Sequence, residues 1–166
     1  MENIQIVDEN DVIIGYKPRN QVDYEKDIYR SSVIWIINSD GEALIAQRKM
    51  TKDKDPGLWG PSVAGTVEQD ETYDSNAYKE AEEEVGLTGY TLEKLEKNLV
   101  ITTRRHFVQL YKAVVDEPLE YFTPQPEEVE AVEWVKLVDL LKDIEVNSDK
   151  YVPSISLGLK VLEKSL

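Results

Sequence analysis

Short β-rich runs separated by turn residues fill the first third of the chain. In IQIVDENDVIIGYKPR the apolar positions lie on either side of Asp8, Glu9, Asn10 and Asp11, which predicts a hairpin within an N-terminal extension of residues 1–30. SSVIWIINSDGEALIAQRK carries a stronger signal: Val33 to Ile37 and Ala43 to Ala46 flank Asn38-Ser39-Asp40-Gly41, and β-branched residues dominate the first arm. Two antiparallel strands are expected there. MTKDKDPGLWGPSVAG is rich in Gly, Pro and Asp and reads as loop, with a short strand near Ser62 to Ala64.

The period then lengthens. Thr72 can cap a helix with Asp74 in its first turn, and Gly86 stands where a glycine would end it, so the helix is expected over Tyr73 to Val85. Ala77, Ala81 and Val85 share one face of that helix and can pack on a sheet. Further on, LEKNLVITTRRHFVQLYKAVV predicts strand, turn and strand, and DEPLEYFTPQPEEVE an acidic loop punctuated by proline. AVEWVKL reads as a strand, LVDLLKDI as a short helix, and PSISLGLKVLEKSL as a last helix with Pro153 near its first turn. Helices and strands mix without regular β-α-β alternation, which favours the α+β class or a mixed sheet sandwiched by helices.

Composition narrows the classes. A chain of 166 residues with 41% hydrophobic and 31% charged side chains suits one globular domain over 1–166. The net charge of −14 disfavours nucleic acid and anionic membrane as partners, and means that a small anionic substrate would need a bound cation. With no cysteine, disulfides, thiolate chemistry and zinc-thiolate sites are excluded. The N-terminus bears acids where a signal peptide has a basic start, and no apolar run approaches the roughly 18 residues of a membrane span. A soluble cytoplasmic protein is the expectation.

Against this background the run Glu80-Ala81-Glu82-Glu83-Glu84 is unusual. Positions i, i+3 and i+4 share a helix face, so Glu80, Glu83 and Glu84 project together and repel one another, while Glu82 points away. Beside a core, three carboxylates are costly unless a positive charge neutralises them, and hard divalent cations such as Mg²⁺ or Mn²⁺ take oxygen ligands of this kind. A solvated acidic face is the alternative.

The wider pattern favours the metal. Gly65 to Leu87 resembles the Nudix box, G-x5-E-x7-R-E-U-x-E-E-x-G-U with U a bulky aliphatic residue: Gly65, Glu71, Glu80, Glu83, Glu84, Gly86 and Leu87 match, Ala81 stands for the first aliphatic, and Lys79 replaces the arginine. The resemblance implies an α/β/α sandwich around a mixed central sheet. It also implies metal held by Glu80 and Glu84, usually with Glu83, and by the backbone carbonyl of Gly65. The activity implied is hydrolysis of the pyrophosphate linkage in a nucleoside diphosphate joined to another group, with a nucleotide or other small diphosphate as partner. The general base would be Glu83 or, from the acidic loop, Glu127 or Glu128. Lys79 keeps the charge of the family arginine without its planar fork, and can pair with Glu71 to tie loop to helix. A catalytically weakened, nucleotide-binding or regulatory module is the alternative this replacement raises. Dimers are common among family members, which leaves a homodimer open.

The N-terminal IVDENDVIIGYKPR is similar to the branch that includes isopentenyl-diphosphate isomerases. In that branch a cysteine follows a W-T-N-S-V stretch and several histidines hold metal. The comparable residues here are Trp59-Gly60-Pro61-Ser62-Val63-Ala64, which puts Ala64 at the cysteine position; Tyr29 and Thr66 fall near histidine positions, and His106 is the only histidine. Isomerase activity is therefore disfavoured. Arg48, at the end of a strand where the resemblance implies a cation contacting base or phosphate, is the candidate substrate contact, with an exposed edge-strand arginine as the alternative. Trp59 can stack on a base or plug the core, Arg104 and Arg105 fall in a turn, and Trp35 and Trp134 read as core or interface.

Overall fold

The computed structural model describes residues 2–166, leaving only Met1 outside. The first hairpin forms as expected from β1 (Asn3–Val7) and β2 (Ile13–Pro18). The second joins β3 (Ile28–Ile37) to β4 (Glu42–Arg48), and β3 begins five residues earlier than the β-branched run alone suggests. After the loop come β5 (Trp59–Gly60), β6 (Val63–Thr66) and α1 (Tyr73–Val85), the helix with the bounds its capping residues predict. The remainder is β7 (Glu93–Ile101), β8 (Arg105–Val114), β9 (Val129–Lys136), α2 (Leu137–Val146) and α3 (Ile155–Lys164).

β3 organises the sheet. Along its whole length it pairs in parallel with β8, from Ile28 opposite Arg105 to Ile37 opposite Val114. Its other edge is shared in turn by β1 at Ile28 and Tyr29, β6 from Ser31 to Ile34, and β4 at Ile37, all antiparallel. A strand bonded on both edges and covered on both faces must be apolar nearly throughout, which explains the run that starts at Val33. Alternation sends Ile34 and Ile36 toward the α1 side with Ala77, Ala81 and Val85, and sends Trp35 and Ile37 toward Leu140, Ile155 and Leu159 of α2 and α3. The result is a mixed sheet between one helix and two, the α+β sandwich expected from the sequence.

The N-terminal hairpin is tied to the segment before α1 by a polar network. Gln5, 1% exposed, donates its side-chain amide to the carbonyls of Glu68 (2.8 Å), Gln69 (3.2 Å) and Glu71 (2.7 Å), and accepts from Arg30 at 3.0 Å. Arg30 continues to Asp11, with its Nε at 2.7 Å from the carboxylate and Nη2 at 2.6 Å from the main-chain carbonyl. The hydroxyl of Tyr73, at the start of α1, and Lys97 of β7 donate to the same carboxylate at 3.0 and 2.6 Å. Asp11 takes φ 61°, a conformation that Asp and Asn tolerate better than other side chains.

Burial alone would raise the Asp11 pKa, but the hydrogen bonds from Lys97, Arg30 and Tyr73 outweigh it and hold the carboxyl below its ordinary 3.8. Its stabilisation is therefore complete above the unfolded-state pKa and is lost as pH falls through the lower folded-state value. Asp11→Asn keeps the backbone conformation and removes the charge. Urea titration at neutral pH should give a loss of about 3 kcal/mol, and the difference from the wild type should begin to shrink only below about pH 4 and close as pH falls through the lower folded-state pKa.

Candidate active site

The two ends of α1 are fixed by local chemistry. Thr72 Oγ1 accepts from the Ser75 amide at 3.1 Å while Ser75 Oγ accepts from the Thr72 amide at 2.9 Å, a reciprocal cap. At the other end Gly86 adopts φ 71°, and the amide of Leu87 returns to the carbonyl of Ala81 at 3.0 Å. Between these caps Ala77, Ala81 and Val85 are fully buried. Two alanines let the helix lie close to β3 and β6, so the carboxylates flanking this stripe are carried against the strand.

Glu80 and Glu84 reach β6, and Glu83 stays exposed in solvent. Of the three glutamates expected together, the way the helix seats its buried stripe on the sheet brings two to β6 and leaves the third at the surface. At about 100° per residue, Glu84 lies about 60° from the middle of the buried stripe, Glu80 about 100°, and Glu83 about 160°. Glu84 accepts from the Ala64 amide at 3.3 Å. Glu80 lies over Gly65 so closely that a Cβ there would overlap its side chain, coming within 2.8 Å of Oε1. Gly65 is thus required by close approach, and its φ is not the reason.

Burial is the main cause that pushes Glu84 up to about 8, with Glu80 adding to it, the Ala64 amide and Arg48 opposing, and Glu128 contributing a further push. Glu80 is pushed up to about 7, again by burial first; Lys79 opposes this, while Glu83, Glu71 and Glu68 reinforce it. Two adjacent, desolvated carboxylates short of positive charge fit a divalent cation with oxygen ligands, and the bare Gly65 leaves its backbone approachable. Among the described residues no three His, Cys, Asp or Glu side chains form a metal-holding group, and Glu80 and Glu84 are the two carboxylates that reach β6. Glu83 stands at their rim.

Lys79 ties the loop to the helix. Its ammonium pairs with Glu71 and lies 3.3 Å from Glu68 and 3.7 Å from Glu80. Glu71 also accepts from the Glu68 amide at 3.0 Å and from Asn76 at 2.8 Å, and Asn76, fully buried, donates to the carbonyl of Thr66 at 3.0 Å. Asn76, Gln5 and Arg30 are supporting residues that the sequence reading missed. Asn76 stands at a variable position of the box, and Gln5 and Arg30 come from strands before it, so only the fold connects them to the glutamates.

Arg48 donates its Nε to the carbonyl of Lys54 at 2.9 Å and lies near enough to Glu84 to oppose its burial. Glu128 is engaged by Lys52, and Glu127 is exposed. The acidic loop reaches α1 through backbone: the amides of Thr123 and Gln125 cap the carbonyls of Val85 and Glu84 at 2.9 and 2.8 Å. Ala64 is exposed at the position compared with the isomerase cysteine. Tyr29 stacks on His106 with ring centroids 4.9 Å apart, and His106 Nδ1 lies 2.9 Å from Ser31 Oγ. Burial, then Arg104 and Lys54, lower His106 to about 4 and keep it neutral. Trp59 packs on the α2 and α3 side of the sheet, Arg104 lies in the turn before β8, and Arg105 is the first residue of β8.

Replacing Lys79 by Met should leave the half-buried pair Glu71 and Glu80 without their cation. A loss of about 2 kcal/mol is expected in denaturant unfolding, and Lys79→Arg should recover most of it.

Comparison with known proteins gives a consistent result. The NUDIX domain family matches residues 28–155. An uncharacterized Nudix hydrolase of Pseudomonas aeruginosa is 30% identical over 136 residues, covering 81% of this chain and 79% of that one. An isopentenyl-diphosphate Delta-isomerase of Roseobacter denitrificans is 29% identical over 138 residues, covering 80% and 77%. Among solved structures, DR0079 from Deinococcus radiodurans superposes with a TM-score of 0.82 over 98% of both chains at 24% identity, a likeness of fold. The NUDIX domain of Shewanella oneidensis NrtR, solved with ADP ribose, gives 0.66 at 15% identity, over 96% and 99%.

Proposed function

Because this chain belongs to the Nudix family, we propose that it hydrolyses the pyrophosphate linkage of a nucleoside diphosphate joined to another group, using the edge formed by Glu80, Glu84 and Gly65. The observation that carries the proposal is the pair of desolvated carboxylates pressed on β6, whose burial outweighs the opposing charges of Lys79 and Arg48. A bound Mg²⁺ or Mn²⁺ would neutralise the diphosphate and make a water nucleophilic near neutral pH.

Glu80 and Glu84, with the Gly65 carbonyl, are the metal ligands in this reading. The Ala64 amide holds Glu84 in register with β6, and Lys79 keeps Glu80 and the preceding loop together. Arg48, anchored through Nε, has its terminal nitrogens available to a phosphate oxygen. Water attacks phosphorus, the bond from that phosphorus to the leaving oxygen breaks, and a carboxylate takes the water's proton. Glu83 suits that last role: it is exposed, flanks the edge and makes no hydrogen bond or ion pair among the described residues. Glu128 is held by Lys52 and is the second candidate.

Isomerase chemistry, which the names of several relatives raise, needs a proton donor beside the carbon skeleton. Ala64 offers none, and the histidine positions hold Tyr29 and Thr66. A soluble, small-molecule enzyme is the reading that fits, and the cytoplasm is its proposed compartment.

Glu84→Gln should lower turnover at least about 100-fold on a panel of nucleoside diphosphate derivatives with Mg²⁺ or Mn²⁺, with an unchanged far-UV spectrum. Gly65→Ala should lose activity to a similar degree through displacement of Glu80. Full turnover by both variants would overturn the assignment. Binding of nucleotides without hydrolysis at any concentration of either metal would favour the binding-module reading instead.

A further inference from the structure

Residues 67–71, which join β6 to α1, belong to no helix or strand and take their shape from the elements beside them. The amide of Val67 donates to the carbonyl of Arg30 and that of Gln69 to the carbonyl of Asn3, each at 2.9 Å, and Glu68 bridges to Ile4. The carbonyls of Glu68, Gln69 and Glu71 then converge on one donor, the side-chain amide of Gln5. An amide carries two hydrogens, so three acceptors share them. Carbonyl oxygens brought this close repel one another, and Gln5, 1% exposed, supplies the donor that lets them meet. Arg30 fixes the orientation: it can only donate, so the end of the side chain 3.0 Å from it is the oxygen.

The side chains of the same segment are bound to α1. Glu71 pairs with Lys79, and Glu68 lies 3.3 Å from that ammonium, whereas Glu80 is 3.7 Å away. The acids before the helix thus hold Lys79 more closely than the carboxylate on the edge does. Asn76 joins Glu71, at 2.8 Å, to the carbonyl of Thr66 at 3.0 Å, one residue beyond Gly65, and its Nδ2 is 3.5 Å from Glu80. Gln5 is therefore two contacts from Glu80: it grips the backbone of Glu68 and Glu71, and their side chains meet Lys79 and Asn76.

We infer that Gln5 is a positioning residue for divalent-ion binding: by fixing residues 67–71 it keeps Lys79 on Glu71 and Glu68, and so leaves Glu80 open to the ion beside Gly65. This rests on the reading of Glu80, Glu84 and the Gly65 carbonyl as the ion's ligands, and extends the site to a residue outside the family-matched span 28–155. Loss of the Gln5 amide has a definite direction. Three carbonyls without their donor turn away to find other partners, and Glu71 and Glu68 move with them. Lys79, released from those acids, closes on Glu80 and neutralises it, and a carboxylate already paired with an ammonium is a poorer ligand for a cation. Gly65 and Glu80, which touch across β6, also lose the short connection that holds strand and helix in one frame.

The test reads ion binding without nucleotide or turnover. The full chain is titrated with Mn²⁺, and the electron paramagnetic resonance signal of the free ion gives the dissociation constant. Gln5→Met keeps the length of the side chain and removes its donor; Gln5→Glu sets a carboxylate against the three carbonyls. Each should raise the dissociation constant about tenfold with an unchanged near-UV spectrum. Leu159→Ala opens a cavity on the far side of the sheet, under α3, and should lower the urea midpoint while leaving Mn²⁺ affinity where it was. Wild-type affinity in either Gln5 variant, or an equal loss in Leu159→Ala, overturns the inference and leaves Gln5 a stabilising residue only. Glu84→Gln separates the two levels: if it binds Mn²⁺ as tightly as the wild type, the ligand assignment falls and the inference with it, whereas loss in Glu84→Gln without loss in the Gln5 variants removes the inference alone.

Discussion

The contact on which this molecule depends is the close seating of α1 on β6. Ala77 and Ala81 bring the helix axis near the sheet, the absence of a side chain at Gly65 lets Glu80 cross the strand, and the Ala64 amide fixes Glu84. These contacts remove two carboxylates from water, and the burial outweighs the charges of Lys79 and Arg48, which is why both are displaced toward neutrality. Larger residues in the stripe would lift the helix and return the carboxylates to solvent, where they would be ordinary surface acids.

Much of the remaining structure serves to keep the segment before α1 in place. Gln5 spreads one amide over three of its carbonyls, Glu71 and Asn76 bind it from within, and Lys79 bridges its acids to the helix. The N-terminal hairpin lies outside residues 28–155, the part matched by the family, yet it provides Gln5 and Asp11. It is therefore more than an appendage: through Arg30 and Tyr73 it reaches the first turn of the helix that carries the glutamates.

Charge is distributed to match. A chain with a net charge of −14 has few cations to spare, and most of those near the loop before β5 are paired, Lys52 with Glu128, Lys49 with Glu130 and Arg104 with Asp55, while Arg48 lies near Glu84.

What the sequence determined by itself is the set of local structures and the chemical character of the edge. Caps at Thr72 and Gly86, alternation in β3 and the spacing of the box are short-range facts, set by neighbours within a few residues, and the elements formed as those facts predict. Which carboxylates are desolvated was decided by tertiary structure: spacing alone puts Glu80, Glu83 and Glu84 on one side, and the position of the buried stripe relative to β6 separates the third from the other two. The roles of Gln5, Arg30 and Asn76 were likewise absent from any local pattern. Each acts on residues outside its own element, and such proximity exists only after the chain has closed around β3.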